Sequence, residues 1–267
     1  MLDTPITACV ITLNEERSIG ACIDSLDLCD EVIVVDAHST DRTREIAAAR
    51  GARVIERDWT GYRSQKQFAV REARHDWIIS LDADERLSPQ LAREIRLLRQ
   101  YGLGDFAGYD IPFLANYFGR DIEHGDWHPD HHLRLFDRRR CEFRGGEIHE
   151  KVVAFGPVRK LRHHILHDSY RDLDHQLGKL GSYARLMSEA MLAHGKNASA
   201  LRIFLNPTWR FLRAYFVRLG FLDGWRGFAI AQIEANYVWE KYLRLYIAAR
   251  APHGSRARSA TTTTQTD

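Results

Sequence analysis

The first hundred positions alternate between two hydrophobic periods. Mostly apolar, often β-branched runs at 6–13, 31–35, 52–55 and 77–81 predict four short buried strands. Between them apolar residues return at helical spacing. Ile19, Cys22, Ile23 and Leu26 mark a helix within 16–28, Ser39-Thr40-Asp41 opens one that Gly51 ends, and 63–74 forms another. A further helix starts at Ser88-Pro89 and runs to Gln100. This rhythm predicts βαβ units, and so an α/β fold with a mostly parallel, Rossmann-like sheet flanked by helices. Such sheets bind ligands at the carboxyl ends of their strands. The polar residues there are Thr12 and Asn14 after the first strand, Asp36 after the second, and Asp82 and Asp84 after the fourth.

Past residue 105 the pattern changes. Residues 105–170 are rich in His, Asp, Arg and Gly, with strand-like pieces at 108–113, 132–136, 150–155 and 160–166. They read as the second half of the sheet with long loops. A helix over 172–195 carries the stripe Leu173, Leu177, Leu180, Ala184, Met187 and Met191, and 201–250 reads as mostly helical. The expected division is a sheet domain over 1–170, a C-terminal helical extension over 171–250, and a disordered tail over 251–267.

Composition narrows the class. With 45% of its 267 residues hydrophobic and 28% charged, the chain can fill a core and is neither disordered nor a membrane bundle. No run of 18 apolar residues and no signal-like leader is visible, so the expectation is a cytoplasmic protein, peripheral at most on a membrane face. Four cysteines without a CxxC pair argue against a disulfide framework or a thiolate zinc site.

The formal net charge of +2 conceals an asymmetry. Residues 1–100 hold 14 Lys/Arg against 18 Asp/Glu, and residues 201–267 hold 10 against 4. The basic stretch is also aromatic, carrying 12 of the 28 aromatic residues in 201–250. At 100° per residue, Trp209, Leu212, Tyr215, Phe216 and Leu219 share one helix face, with Arg210, Arg213 and Arg218 opposite. That suits an anionic membrane surface or a helical lid. A single apolar stripe is a poor stacking platform, so no nucleic-acid partner is expected.

No GxGxxG follows the first strand and no GxxxxGK[ST] occurs, which argues against dinucleotide enzymes and P-loop NTPases. A nucleotide's phosphates need another counter-charge. Asp82-Ala83-Asp84 offers two carboxylates one residue apart, just past a buried strand, able to hold a divalent cation against a diphosphate. The plainer reading is a turn or helix-capping pair. A nucleotidyltransferase would carry a glycine-rich basic loop where Leu13-Asn14-Glu15-Glu16 stands.

Val10-Ile11-Thr12-Leu13-Asn14-Glu15, Val34-Val35-Asp36-Ala37-His38-Ser39-Thr40-Asp41 and Ile79-Ser80-Leu81-Asp82-Ala83-Asp84-Glu85 together resemble the family 2 glycosyltransferases of the GT-A fold. The resemblance implies a UDP-sugar donor and a Mg²⁺ or Mn²⁺ ion. It implies that Thr12, Asn14 and Glu15 line the nucleoside pocket and that Asp36 accepts the base N–H. Asp82 would lie near ribose and metal, with Asp84 as the direct ligand. Ala37 departs from the Asp-Asp-Gly frequent in the family and has no polar group for the nucleoside. Trp127-His-Pro-Asp130-His-His-Leu-Arg134, Gly146-Glu-Ile-His-Glu150 and Ile165-Leu-His167-Asp168-Ser-Tyr170 are similar to the branch that glucosylates a heptose of the lipopolysaccharide inner core. This implies a lipid-anchored saccharide acceptor, with another lipid-linked or polysaccharide acceptor of a family 2 enzyme as the alternative.

Displacement at an anomeric carbon needs a base for the acceptor hydroxyl. Glu150 is the first candidate and Asp130 the second; the plain alternative for Glu150 is an ion pair with Lys151 or Arg144. One catalytic carboxylate implies inversion. His167 is a candidate further metal ligand or diphosphate contact, or a structural histidine. Arg134 and Arg138 are candidates for acceptor phosphates. His124, His128, His131 and His132 lack zinc-ligand spacing. The non-enzymatic rival is a membrane-surface binding module.

Overall fold

The computed structural model describes residues 4–146, 150–168, 170 and 172–250. The tail expected over 251–267 lies outside the described residues. The chain divides into two compact units, one within 1–121 and 128–169 and the other within 122–127 and 170–267. The short segment 122–127 thus belongs with the helical unit, whereas the sequence pattern groups it with the sheet.

Among the described residues, the first unit is built on twelve strands. They are β1 (Ile6–Thr12), β2 (Glu31–Asp36), β3 (Arg53–Glu56), β4 (Trp77–Asp82), β5 (Glu85–Leu87), β6 (Gly108–Tyr117), β7 (Arg120–Asp121), β8 (Asp130–Asp137), β9 (Cys141–Arg144), β10 (Lys151–Ala154), β11 (Val158–Lys160) and β12 (Ile165–Asp168). Four helices, α1 (Ile19–Asp24), α2 (Thr43–Ala49), α3 (Tyr62–Glu72) and α4 (Pro89–Tyr101), follow β1, β2, β3 and β5. The main sheet has the order β3-β2-β1-β4-β8-β6-β12-β5, while β9 and β10 form a separate hairpin. Strands β3, β2, β1 and β4 are parallel, and β8 joins antiparallel to β4. The result is a mixed sheet whose parallel half matches the four expected strands.

The local reasons are plain. All seven residues of β1 are buried, as a central parallel strand covered on both faces requires. Its alternation feeds two cores. Ile6, Ala8 and Val10 pack with Ile19, Leu26 and Leu91, whereas Cys9 and Ile11 face Ala69 and Val70 of α3. Each of the Ile, Leu and Val side chains contributes about 1.5–3 kcal/mol by leaving water. The α4 helix starts on Ser88, whose Oγ accepts the Leu91 N–H at 3.2 Å, with Pro89 in its first turn. Two expected elements differ. The first helix is only six residues long, because 25–28 turns back to set Leu26 and Leu28 into the core. The strand expected at 160–166 is two strands, β11 and β12, which pair with opposite ends of β6.

The second unit holds α5 (Leu173–Ala193), α6 (Ala200–Leu212), a π-helical turn (Arg213–Val217), a 3-10 turn (Gly220–Asp223) and α7 (Trp225–Arg250). Asp172 caps α5 by accepting the His175 N–H at 2.7 Å. Leu219, at φ 58° in the left-handed region, is the residue from which the 3-10 turn starts. No described helix is long and apolar enough to cross a membrane.

Candidate active site

Registers put the first candidates on one edge. Thr12 pairs with Asp36 across β1 and β2, and Ile11 pairs with Asp82 across β1 and β4. Three adjacent parallel strands therefore end side by side on Thr12, Asp36 and Asp82. The loops beyond are tied together. Asn14, at φ 54°, donates its N–H to Ser39 Oγ at 2.8 Å, and its Oδ1 accepts the Thr40 N–H at 2.8 Å. The Glu15 N–H reaches Thr43 Oγ1 at 2.8 Å, and the Glu15 carboxylate accepts from Ser18 Oγ. Asp36 is fully buried, and Ser39 donates its N–H to one carboxylate oxygen and its hydroxyl to the other. The carboxylate thus shapes the loop, each of its oxygens accepting one bond from Ser39. The Thr12 hydroxyl oxygen is buried without a hydrogen-bond partner in the structure.

The second group of candidates gathers around Asp82. From α3, Lys66 reaches across with its ammonium 3.0 Å from Asp82 Oδ1 and 2.9 Å from Glu150 Oε1. Lys66 is 5% exposed. Burial opposes its charge, but Asp82 and Glu150 outweigh that and raise its pKa despite Arg134. Arg134 of β8 bonds Glu85 Oε1 at 2.7 Å and stands 3.7 Å from Asp82 Oδ2. Glu85 also accepts the Asp82 N–H at 2.9 Å, which closes the Asp82–Glu85 turn. For Asp82, Lys66 and Arg134 overcome the burial cost and hold the pKa well below the carboxylate range. For Glu85, burial dominates and, with the Asp82 charge beside it, raises the pKa in spite of Arg134.

β12 carries His167 to the same place. It pairs with Glu85 on one side and Ala115 on the other, and its Nε2 lies 3.3 Å from Asp84 Oδ2. Burial disfavours the imidazolium, yet Asp84, Glu85 and Asp82 raise its pKa. A cavity of about 460 Å³ opens beside this network, lined by Lys66, Asp82, His131, Arg134, Phe143 and Glu150 among others. Two larger hollows, each about 660 Å³, lie away from these carboxylates.

The structure therefore brings Asp82, Asp84, Glu150 and His167 into one neighbourhood. It gives Glu150 a partner that neither plain alternative offered, Lys66 in place of Lys151 or Arg144. Asp130 is different: it is exposed at the start of β8, bound to His132 Nε2 at 2.9 Å, and does not line the cavity. Arg134 is committed to Glu85, and Arg138 to Asp76 and the carbonyls of Val70 and Ala73, so neither is free for an acceptor phosphate. Lys66 and Glu85 belong to this charged network and were not singled out by the sequence motifs.

Among the described residues, no three His, Cys, Asp or Glu converge as a closed metal-ligand set. The Lys66 ammonium stands 3.0 Å from the buried Asp82 Oδ1 but directs its hydrogen bond to Oδ2, which leaves Oδ1 without a hydrogen bond of its own, and Asp84 and His167 stand side by side at the lip. Such a donor set fits a divalent ion of the magnesium type. These ions take one or two carboxylates and complete their shell with phosphate oxygens and water.

A mixed sheet whose parallel strands end on Asp36 and Asp82, with a carboxylate pair beyond the fourth, is the layout of a GT-A glycosyltransferase. The family described as Glycosyl transferase family 2 matches residues 7–159, and the chain belongs to it. An uncharacterized glycosyltransferase of Rickettsia typhi is 32% identical over 90% of this chain and 85% of its own. The lipopolysaccharide core biosynthesis glycosyltransferase LpsC of Rhizobium meliloti is 31% identical over 91% of this chain and 92% of its own. Among solved structures, glucosyl-3-phosphoglycerate synthase from Mycobacterium tuberculosis is 27% identical over 42% of this chain and 44% of that one, with a TM-score of 0.35.

Proposed function

We propose that the protein transfers glucose from UDP-glucose to a heptose of the lipopolysaccharide inner core, with inversion, at the cytoplasmic face of the membrane. The observation that carries this reading is the Lys66 bridge between Asp82 and Glu150. It joins the donor-side carboxylates to the one candidate base that lines the cavity. The LpsC relative, similar along nearly all of both chains, supports the acceptor class. The anionic membrane surface is a partner in this reading because the acceptor is anchored there.

The residues divide the work. The loops tied by Asn14, Ser39 and Thr40 form a rigid rim for the nucleoside. Asp84, Asp82 and His167 would hold Mg²⁺ or Mn²⁺, which when bound neutralises charge on the departing diphosphate. The His167 proton must leave for its nitrogen to serve as a ligand. Glu150 accepts the proton of the acceptor hydroxyl, and the Lys66 contact holds that carboxylate in place until the hydroxyl arrives. A base on one face of the sugar and a leaving group on the other produce a β-linked product from an α-linked donor.

The test is a donor screen across UDP-, GDP- and dTDP-sugars with a heptose-terminated core acceptor, read by product NMR. UDP-glucose turnover with a β-linked product is expected. Turnover only with another nucleotide, or an α-linked product, overturns the reading. Failure to bind UDP with Mn²⁺ would favour a non-catalytic membrane-surface module.

A further inference from the structure

The aromatic helices of the second unit are turned inside out. Arg210 bonds Asp126 at 3.0 Å and Glu234 at 2.9 Å, and Arg213 bonds Asp126 at 2.8 Å. Asp126 is 4% exposed. The arginine face of α6 is therefore the face that packs inward, beside Ile203 and Ala214. The apolar face points to water: Phe204 is 67% exposed, Trp209 59%, Val217 65% and Trp225 59%, with Leu201 and Phe216 also exposed. A surface helix normally buries that face. Phe211 stacks on Tyr215, and both meet the exposed Phe228 edge to face, so the aromatic surface is joined by ring contacts.

The charges around this surface have one sign. Between residues 197 and 233 the only carboxylate is Asp223. It is 3% exposed and bound to His124. The exposed charges of 200–222 are Arg202 and Arg218. A second copy seated symmetrically on this face would bring arginine toward arginine. An anionic headgroup layer supplies both the counter-charge and an acyl boundary for the aromatic rings.

We propose that residues 200–228 form a seat that lies flat in the headgroup region of an anionic bilayer, with Phe204, Trp209, Phe216 and Trp225 at the acyl boundary and Arg202 and Arg218 among the headgroups. The purpose of the seat rests on the lipid-anchored acceptor proposed above. Its geometry stands on residues that the transfer chemistry does not use.

The full chain is sedimented with phosphatidylcholine vesicles with and without phosphatidylglycerol, and tryptophan emission is followed with brominated acyl chains. Sedimentation should be about tenfold greater with the anionic vesicles and should fall with salt. Bromolipid should quench the emission. The conservative double variant W209F/W225F should still sediment but lose most of the quenching, and R202E/R218E should bind anionic vesicles about tenfold more weakly. A chain that stays in the supernatant, quenching unchanged in W209F/W225F, or a stable dimer that buries this face overturns the seat. UDP titration without vesicles is read separately. Its failure would sink the transferase reading and leave the sedimentation result standing.

Discussion

Glu150 follows Lys66 by 84 residues, yet its Oε1 rests 2.9 Å from the lysine ammonium. The lysine comes from the middle of α3 and the glutamate from just before β10, so the contact pins the hairpin side of the cavity to the central sheet. The same ammonium holds Asp82 at the end of β4. One buried cation therefore balances two carboxylates from distant parts of the sequence at once.

Glu150→Gln keeps a hydrogen-bond acceptor for Lys66 but cannot take a proton. Turnover should fall by roughly 10²- to 10⁴-fold, with UDP-glucose affinity in calorimetry close to wild type. Lys66→Met leaves two carboxylates without their shared cation. It should cost about 3 kcal/mol of stability, as breaking a buried pair from one side does. Wild-type turnover in Glu150→Gln would remove the residue from the mechanism.

Asp84→Asn should separate the ion from the fold. In the wild type, Mn²⁺ should tighten UDP binding about tenfold by charge neutralisation. In the variant that gain should vanish, while the melting temperature stays within a few degrees. Calorimetry with and without Mn²⁺ reads this directly. An undiminished Mn²⁺ effect would place the ion on other residues.

The front of the chain was legible because a strand buried on both faces has no choice of pattern. Residues 6–12 and 77–82 are mostly apolar and buried, and the polar residue that ends each run, Thr12 or Asp82, marks the edge where the candidate residues gather. Lys66 was not legible from the motifs, since its meaning depends on a residue 84 positions away. Its signal was nonetheless present: it lies three and four residues before Ala69 and Val70, on the buried stripe of α3. Glu85 was hidden in a three-residue strand too short for any period. The helix at 200–212 shows a different limit. Periodicity separates an arginine face from an aromatic face, but only Asp126 and Glu234, brought in from elsewhere, decide that the arginines turn inward.

Glu31 should make the sheet unit sensitive to acid. Burial works against its carboxylate, but the Arg74 N–H at 2.8 Å, the Thr7 hydroxyl at 3.0 Å and the nearby guanidiniums of Arg53 and Arg74 hold its pKa below the ordinary 4.5. The folded chain thus binds this proton less readily than the unfolded chain. The stabilisation is full above about pH 4.5 and is lost as the pH falls through the folded value. Glu31→Gln should lower stability by about 1–2 kcal/mol near pH 7 and flatten its decline below about pH 4.5. Melting curves across that range check it, and a variant with the wild-type acid slope would contradict it.

Two glycines should respond in opposite directions to the same change. In α7, a Cβ on Gly227 would overlap the carbonyl oxygen of Gly220, and backbone cannot step aside as a flexible side chain can. Gly227→Ala should therefore cost about 3 kcal/mol, at the upper end for overpacking, and should loosen α7 from the 3-10 turn that it packs against. In α5, Gly178 has nothing within 4 Å of where its Cβ would stand. There the methyl group only restricts the unfolded chain and improves helix propensity, so Gly178→Ala should raise stability by about 0.5–1 kcal/mol. Melting the two variants beside the wild type should place one below it and one above. Gly227→Ala melting with the wild type would mean that the close approach of α7 to Gly220 does not hold the helical unit together.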